Sequence, residues 1–317
     1  MSRPPLEHQA PGPGQPDIVG YVAVLAATAC WGTSGVFVKL ILADQQVSAL
    51  ALAFWRDLAT FLVLLIGLRL LRPAWLTVKR RDLLWFAALG AAIGVFHIVW
   101  NLAVFLNGAA VATVQQAAMP AIVALLAWLI WREPLTRRKV LAIILTFVGT
   151  IFVSGVLVLG QTDITLAGFL VGVATPTMYA GWNLLMKQIR GAHNSFTTLT
   201  CGFGFAALVL LPVQFFTPQP ASVSPALGLH FTGLILLATV GGFSIYTFAL
   251  GRLQASVATI LAMAEIPVVA LYAYVLLGER MTAEQIFGSF LVVGGVLMLY
   301  RRRSRPRSVP APRPDTG

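Results

Sequence analysis

Residues 109–149 read AAVATVQQAAMPAIVALLAWLIWREPLTRRKVLAIILTFVG, and residues 255–295 read ASVATILAMAEIPVVALYAYVLLGERMTAEQIFGSFLVVGG. The two stretches align without a gap at an offset of 146, with 13 identities in 41 positions. Apolar helices share residues by chance, so the polar matches carry more weight. Glu133 falls on Glu279, Thr136 on Thr282 and Gly149 on Gly295. Val111-Ala112-Thr113 repeats as Val257-Ala258-Thr259, and Val123-Ala124-Leu125 as Val269-Ala270-Leu271. Each copy covers two long apolar runs with a short polar break between them.

Outward from this repeat the whole chain follows the same pattern. A membrane-spanning helix needs about 20 mostly apolar residues. Ten such runs are present, at 18–42, 48–71, 83–106, 110–131, 139–158, 164–187, 195–216, 230–252, 255–278 and 284–300. Asn107-Gly108, Pro134 and the Pro/Ser-rich stretch 217–225 punctuate them, and Thr282-Ala-Glu-Gln285 reads as a capping box opening the last. Of the 317 residues 58% are hydrophobic and only 10% charged, and mean hydropathy is +0.84. A soluble domain carries about 25% charged residues. These figures predict an all-α membrane protein with ten transmembrane helices. The net charge of +11 sits in short clusters between apolar runs, which sets topology and argues against a nucleic-acid partner. Cys30 and Cys201 both lie inside apolar runs and imply neither disulfide nor metal site. Residues 1–17 are polar and Pro-rich, with no signal-peptide core, and Ala27-Thr28-Ala29-Cys30 lies within a run that continues to Leu42.

Placing both termini in the cytoplasm puts 19 of the 22 Lys and Arg residues on the inside. Only Lys39 and Arg280 then lie near the outer surface, and Arg56 lies within a span. The loop at 217–229 is expected outside. Five spans per repeat is an odd number, so the second copy lies upside down. The charges agree, because the 4/5 loop holds Arg132, Arg137, Arg138 and Lys139 whereas the 9/10 loop keeps only Arg280. The expected organisation is a cytoplasmic tail (1–17), a first five-helix repeat (18–160), an inverted second repeat (161–300) and a basic, Pro-rich cytoplasmic tail (301–317). The first span aligns weakly with the sixth at offset 148, through Gly20/Gly168, Ala26/Ala174 and Lys39/Lys187. Inverted repeats are typical of secondary transporters, which hold substrate near the midplane between the halves.

Over residues 18–300 the chain resembles the drug/metabolite transporter superfamily, in particular the EamA-type ten-helix transporters. The resemblance rests on Trp31-Gly-Thr-Ser-Gly-Val-Phe-Val-Lys39, Phe54-Trp-Arg56, Trp131-Arg-Glu133-Pro-Leu-Thr136, Ala264-Glu-Ile-Pro267 and Gly278-Glu279-Arg-Met-Thr282. One departure is that Pro267 stands one residue later than the family's Glu-Pro pattern places it. The resemblance implies two five-helix bundles around a central cavity, alternating access, no cofactor, and small metabolites such as amino acids or related compounds as cargo, with export the expected direction in the cell membrane.

Candidate substrate-binding or coupling residues follow from the cost of polar groups in lipid. Glu265 lies mid-run in the ninth span, where a carboxylate normally faces the bundle interior and is functional; proton coupling and a neutral structural role are both open to it. Arg56 and Asp57 are neighbours in the second span, and two readings stand: they neutralise each other, or Arg56 binds a substrate carboxylate. His97, Trp100 and Asn101 lie along the third span, Gln115 and Gln116 in the fourth, Tyr179, Trp182 and Asn183 in the sixth, and Ser244 and Tyr246 in the eighth. His97/Asn101 and Tyr179/Asn183 each share a helix face. Such groups suit a polar organic solute with a flat or apolar part; interhelical hydrogen bonding is the alternative for each. Gly90-Ala-Ala-Ile-Gly94 and Gly168-Phe-Leu-Val-Gly172 predict close helix packing, and Glu133 and Glu279 are expected to organise loops. The sequence holds no H-E-x-x-H, G-x-S-x-G or P-loop pattern, which disfavours an intramembrane enzyme. A lipid flippase or channel shares the architecture and remains the alternative to a transporter.

Overall fold

A computed structural model describes residues 17–43, 47–132, 136–154, 166–189, 193–220, 222–250, 252–253, 258, 261–262 and 264–299. Helices occupy Ile18–Leu42 (α1), Ala49–Leu71 (α2), Leu83–Asn107 (α3), Ala109–Gln116 (α4), Met119–Trp131 (α5), Arg137–Ser154 (α6), Leu166–Ile189 (α7), Ser195–Gln214 (α8) and Pro225–Gly233 (α9). A π-helical stretch, Leu234–Gly241, leads into Gly242–Leu250 (α10), and Glu265–Leu277 (α11) and Ala283–Leu299 (α12) complete the series. Among the described residues there is no β-strand. Residues 1–16 and 300–317, and also Glu133 and Pro134, lie outside the described residues.

Local chemistry explains the boundaries. Asp17, Ser48, Asn194 and Ser224 each accept a hydrogen bond from a first-turn N–H and so open α1, α2, α8 and α9. Thr282 and Gln285 form the expected reciprocal capping box: Thr282 N–H donates to Gln285 Oε1 at 2.9 Å and Gln285 N–H to Thr282 Oγ1 at 3.3 Å. Gly108 (φ 84°) and Gly278 (φ 69°) end α3 and α11 in conformations that side chains resist.

Two runs differ from the uninterrupted helices the sequence suggests. The fourth breaks at a turn over Ala117 and Ala118, and α5 restarts at Met119. The ninth breaks at Ala264, and α11 restarts at Glu265. Pro120 and Pro267 stand in the first turns of the restarted helices. A proline there gives no N–H to the preceding turn, so continuity through that point is lost. Glu265 therefore sits at a half-helix N-terminus and not in the middle of a helix. Met119 and Glu265 are 146 residues apart, the same offset that aligns the sequences.

Packing follows this correspondence. The helix α1 packs against α10 and α11, while α7 packs against α3, α4 and α5. The helix α2 packs on α8, and α6 on α12. At the α6–α12 contact the backbones nearly touch. A Cβ added to Gly149 would lie 2.7 Å from the Gly288 carbonyl and 2.8 Å from Val292 N. One added to Gly295 would lie 2.7 Å from the Ala142 carbonyl and 3.0 Å from Thr146 N. The second set is the first with each residue exchanged for its partner 146 positions away. Gly90 likewise lies against the α8 backbone, 2.6 Å from Ala206 N to an added Cβ.

Five helical stretches are long and apolar enough to cross a membrane, by length and composition: Ile18–Leu42, Ala49–Leu71, Arg80–Asn107, Ser195–Gln214 and Pro225–Ala249. Leu62, Ile66 and Leu70 on α2 and Phe287 and Phe290 on α12 face outward, exposed. In water such stripes would drive association. In a bilayer they meet hydrocarbon and need no partner. The chain is a multi-pass helical membrane protein.

Candidate functional site

The buried face of α2 carries ionisable groups where lipid would forbid them. Arg56, Asp57 and His97 are 5%, 0% and 1% exposed. His97 Nδ1 lies 2.5 Å from Asp57 Oδ1, joining α3 to α2. One turn along α3, Asn101 Nδ2 donates to the Ala49 carbonyl at 3.1 Å. Arg56 and Asp57 lie within electrostatic reach of each other, but the direct hydrogen bond of Asp57 goes to His97. Adjacent helical side chains diverge by about 100°, and the Asp57 carboxylate turns across to His97. The Arg56 Nε and Nη1 atoms are buried without a hydrogen-bond partner, as are Asp57 Oδ2, Thr60 Oγ1 and Asn101 Oδ1.

From His97 a run of aromatic rings leads through the bundle. His97 stacks on Phe203 of α8, with centroids 5.9 Å apart. Phe203 meets Phe243 of α10 edge-on at 6.0 Å, Phe243 meets Trp31 of α1 at 5.4 Å, and Trp31 meets Tyr246 at 4.8 Å. In the other direction His97 adjoins Phe96 at 5.4 Å. Phe96 stacks on Tyr179 of α7 at 4.8 Å, and Tyr179 on Trp182 at 5.4 Å with planes 7° apart. Trp100 stacks on Phe96 at 6.4 Å. The two arms approach again, because Tyr179 lies within electrostatic reach of both Tyr246 and Glu265. Glu265 is half-buried, as are Trp31, Tyr179 and Tyr246. Offset and edge-on ring pairs contribute about 0.5–1.5 kcal/mol each beyond burial, so the arrangement is rigid as well as apolar. The Asn183 amide donates to the Tyr179 carbonyl one turn back, at 2.8 Å.

A second polar group joins the halves at one end of the bundle. The Glu279 carboxylate accepts from Ala109 N–H at 3.0 Å and from Ala110 N–H at 3.4 Å, capping α4. Lys39 Nζ of α1 lies 2.8 Å from the same carboxylate. Glu279, expected from the sequence to organise a loop, caps a helix 170 residues away in the sequence. Gln115 serves packing too: its Oε1 accepts from Asn107 Nδ2 at 2.9 Å, and its amide fills the space above Gly172. Gln116 is half-buried at the end of α4, and Ser244 is half-buried on α10.

Of the residues singled out in the sequence, His97, Trp100, Tyr179, Trp182 and Tyr246 join one aromatic array, with Glu265 beside it. Arg56 and Asn101 adjoin it through Asp57 and His97. Gln115 stands apart. Trp31, Phe96, Phe203 and Phe243 were missed, since an aromatic residue in an apolar run gives no sign of which ring it will meet. A recess of about 410 Å³ lies elsewhere, between α6 and α7, lined by Phe147, Thr150, Ile151, Phe169, Val173 and Thr177 among others. A void of about 10 Å³ lies beneath Trp182 and Phe203, room for one water at most.

A multi-pass helical bundle with broken helices and buried polar groups between its halves is the architecture of a membrane transporter. The chain belongs to the EamA-like transporter family, whose model matches residues 18–155 and again 166–301. It is 27% identical over 297 residues to the inner membrane transporter YicL of Salmonella typhimurium, covering 90% of this chain and 97% of that one. It is 27% identical over 297 residues to Protein PecM of Dickeya dadantii, covering 88% and 93%. The transporter YwfM of Bacillus subtilis is 24% identical over 290 residues, covering 87% and 92%. A solved crystal structure superposes with a TM-score of 0.58 at 16% identity, over 88% of this chain and 96% of its own, a likeness of fold alone.

Proposed function

We propose that the protein is a gradient-driven exporter of small organic metabolites, working by alternating access between two inverted five-helix repeats. The observation that carries this reading is the aromatic array beside Glu265. Its members come from α1 and α3 in the first half and from α7, α8, α10 and α11 in the second, so cargo held there would feel any rocking of one half on the other. The exchange-related packing and the matching breaks at Met119 and Glu265 support the repeat. A flat, partly polar solute fits the stacked rings and the nearby carboxylate. The sequence holds no nucleotide-binding motif, so energy comes from a gradient or from the cargo.

The test is flux through purified protein in liposomes. Saturable movement of a metabolite without nucleotide is expected. An absolute requirement for ATP, or conduction that never saturates, overturns the reading. The apolar recess between α6 and α7 favours a second possibility, lipid cargo entering sideways. Transbilayer movement of a fluorescent phospholipid, with no water-soluble metabolite transported, would establish that instead.

A further inference from the structure

Arg56 is 5% exposed, and its guanidinium stays charged at any physiological pH. Asp57 lies within electrostatic reach of Arg56, but its carboxylate turns to His97 and leaves Nε and Nη1 of the guanidinium without a hydrogen bond. The elements packed against α2 supply no other counter-ion. The helix α8 carries no Asp, Glu, Lys, Arg or His over Ser195–Gln214, and neither does the π-helical stretch Leu234–Gly241. Within Leu83–Asn107, α3 carries only His97. A buried cation with two unpartnered nitrogens, Nε and Nη1, is costly to keep in an apolar bundle. Thr60, one turn along the same face and fully buried, has an unpartnered hydroxyl as well. The neighbouring π-helical stretch also packs on α2, and such stretches recur at functional sites.

We infer that Arg56, with Thr60, is a binding site for a single negative charge, and that the charge is the carboxylate of an organic cargo. One permanent cation, with the neighbouring His97 already bonded to Asp57, suits a monoanion better than a phosphate. The ring of His97 ties Asp57 to Phe203, so an apolar body attached to the carboxylate would meet the aromatic array. This deepens the transport reading and rests on it for the word cargo. The binding itself is measurable without flux, so the two fail separately.

The experiment is a titration of the purified full chain with benzoate, read by tryptophan fluorescence and by the midpoint of thermal unfolding. Benzylamine, benzyl alcohol, phenyl phosphate and chloride serve as comparisons. Benzoate should bind saturably and raise the midpoint, and the other four should not match it. Arg56→Gln should weaken benzoate binding about tenfold or more, and Arg56→Lys should keep part of it. Ligand-free Arg56→Met should unfold no lower than the unaltered protein, because two buried nitrogens without hydrogen bonds are gone. Equal binding of benzylamine or benzyl alcohol, or benzoate binding untouched by Arg56→Gln, would overturn the inference. So would an Arg56→Met midpoint well below that of the unaltered protein, which would mark a structural Arg. Chloride protecting as well as benzoate would overturn the organic part and leave an inorganic anion.

Discussion

At the scale of single residues, the polar groups divide by whether the fold satisfies them. Asp57 Oδ1 and His97 Nδ1 partner each other, and removing one leaves the other buried without that hydrogen bond. Breaking a buried pair from one side costs about 3–5 kcal/mol, so His97→Ala should lower the unfolding midpoint sharply. Joint replacement by Asn at both positions should cost less than the single change, and a double variant as unstable as His97→Ala would contradict the pairing. Glu265 is different, because nothing about a helix N-terminus in an apolar run requires a carboxylate. If it carries a proton, Glu265→Gln abolishes transport driven by a pH gradient and spares cargo exchange. If it binds cargo charge, both weaken together, and Glu265→Asp retains part of the activity. Normal gradient-driven transport by a well-expressed Glu265→Gln protein would leave Glu265 a structural role only. The cost of a mid-run acid made Glu265 legible in the sequence. The partner of Asp57 was not, since His97 is 40 residues away and only the meeting of α2 with α3 brings them together.

At the scale of elements, α1 is clasped to the second half at both ends. Lys39 reaches Glu279 at one end, and at the other Arg252 Nε donates to Asp17 Oδ2 at 2.9 Å. The Asp17 carboxyl is held below its ordinary 3.8, first by the Gly20 N–H and also by Arg252. A lowered value means this clasp is complete above the ordinary pKa and is lost only as pH falls through the lowered one. The other clasp also caps a helix, so Glu279→Ala removes a cap and an ion pair together. The cap alone is worth about 0.5–2 kcal/mol, whereas Lys39→Met removes only a part-exposed pair worth about 0–1 kcal/mol. Thermal unfolding should therefore rank Glu279→Ala below Lys39→Met, and the reverse order would mean the cap does nothing. At the α6–α12 contact, Gly295→Leu should prevent folding or cut expression severely, because beside the Thr146 hydroxyl it would strike the backbone at Ala142 O and Thr146 N. The helical, membrane-spanning character was readable from hydropathy, and the capping box from spacing. The break at Ala117–Ala118 was not, because Pro120 in an otherwise apolar run is equally compatible with a kinked helix.

At the scale of the molecule, the outstanding question is whether the halves run in opposite directions through the membrane, and the structure yields an argument independent of charge. The helix α2 has 23 residues, which at about 1.5 Å each span about 34 Å, a bilayer core. Near its start, Trp55 donates to Gln219 at 2.9 Å. Just beyond its end, the Trp75 carbonyl accepts from Thr197 at 2.6 Å. The loop holding Gln219 and the loop holding Thr77 therefore lie at opposite ends of α2. These loops occupy equivalent places in the two halves, each joining a second helix to a third. Parallel halves would put them on the same side of the membrane. The charges predict the sides: the first loop carries Arg72, Lys79, Arg80 and Arg81, and residues 217–229 carry no charge. With Cys30 and Cys201 replaced, single cysteines at Thr77 and Ser222 should report the difference to an impermeant thiol reagent. Ser222→Cys should label on intact cells, and Thr77→Cys only after the membrane is opened. Labelling of Thr77→Cys alone would reverse the orientation while keeping the inversion. Labelling of both from outside, with a lipid-buried cysteine at Ile66 as the unlabelled control, would abolish the inversion and the alternating-access reading built on it.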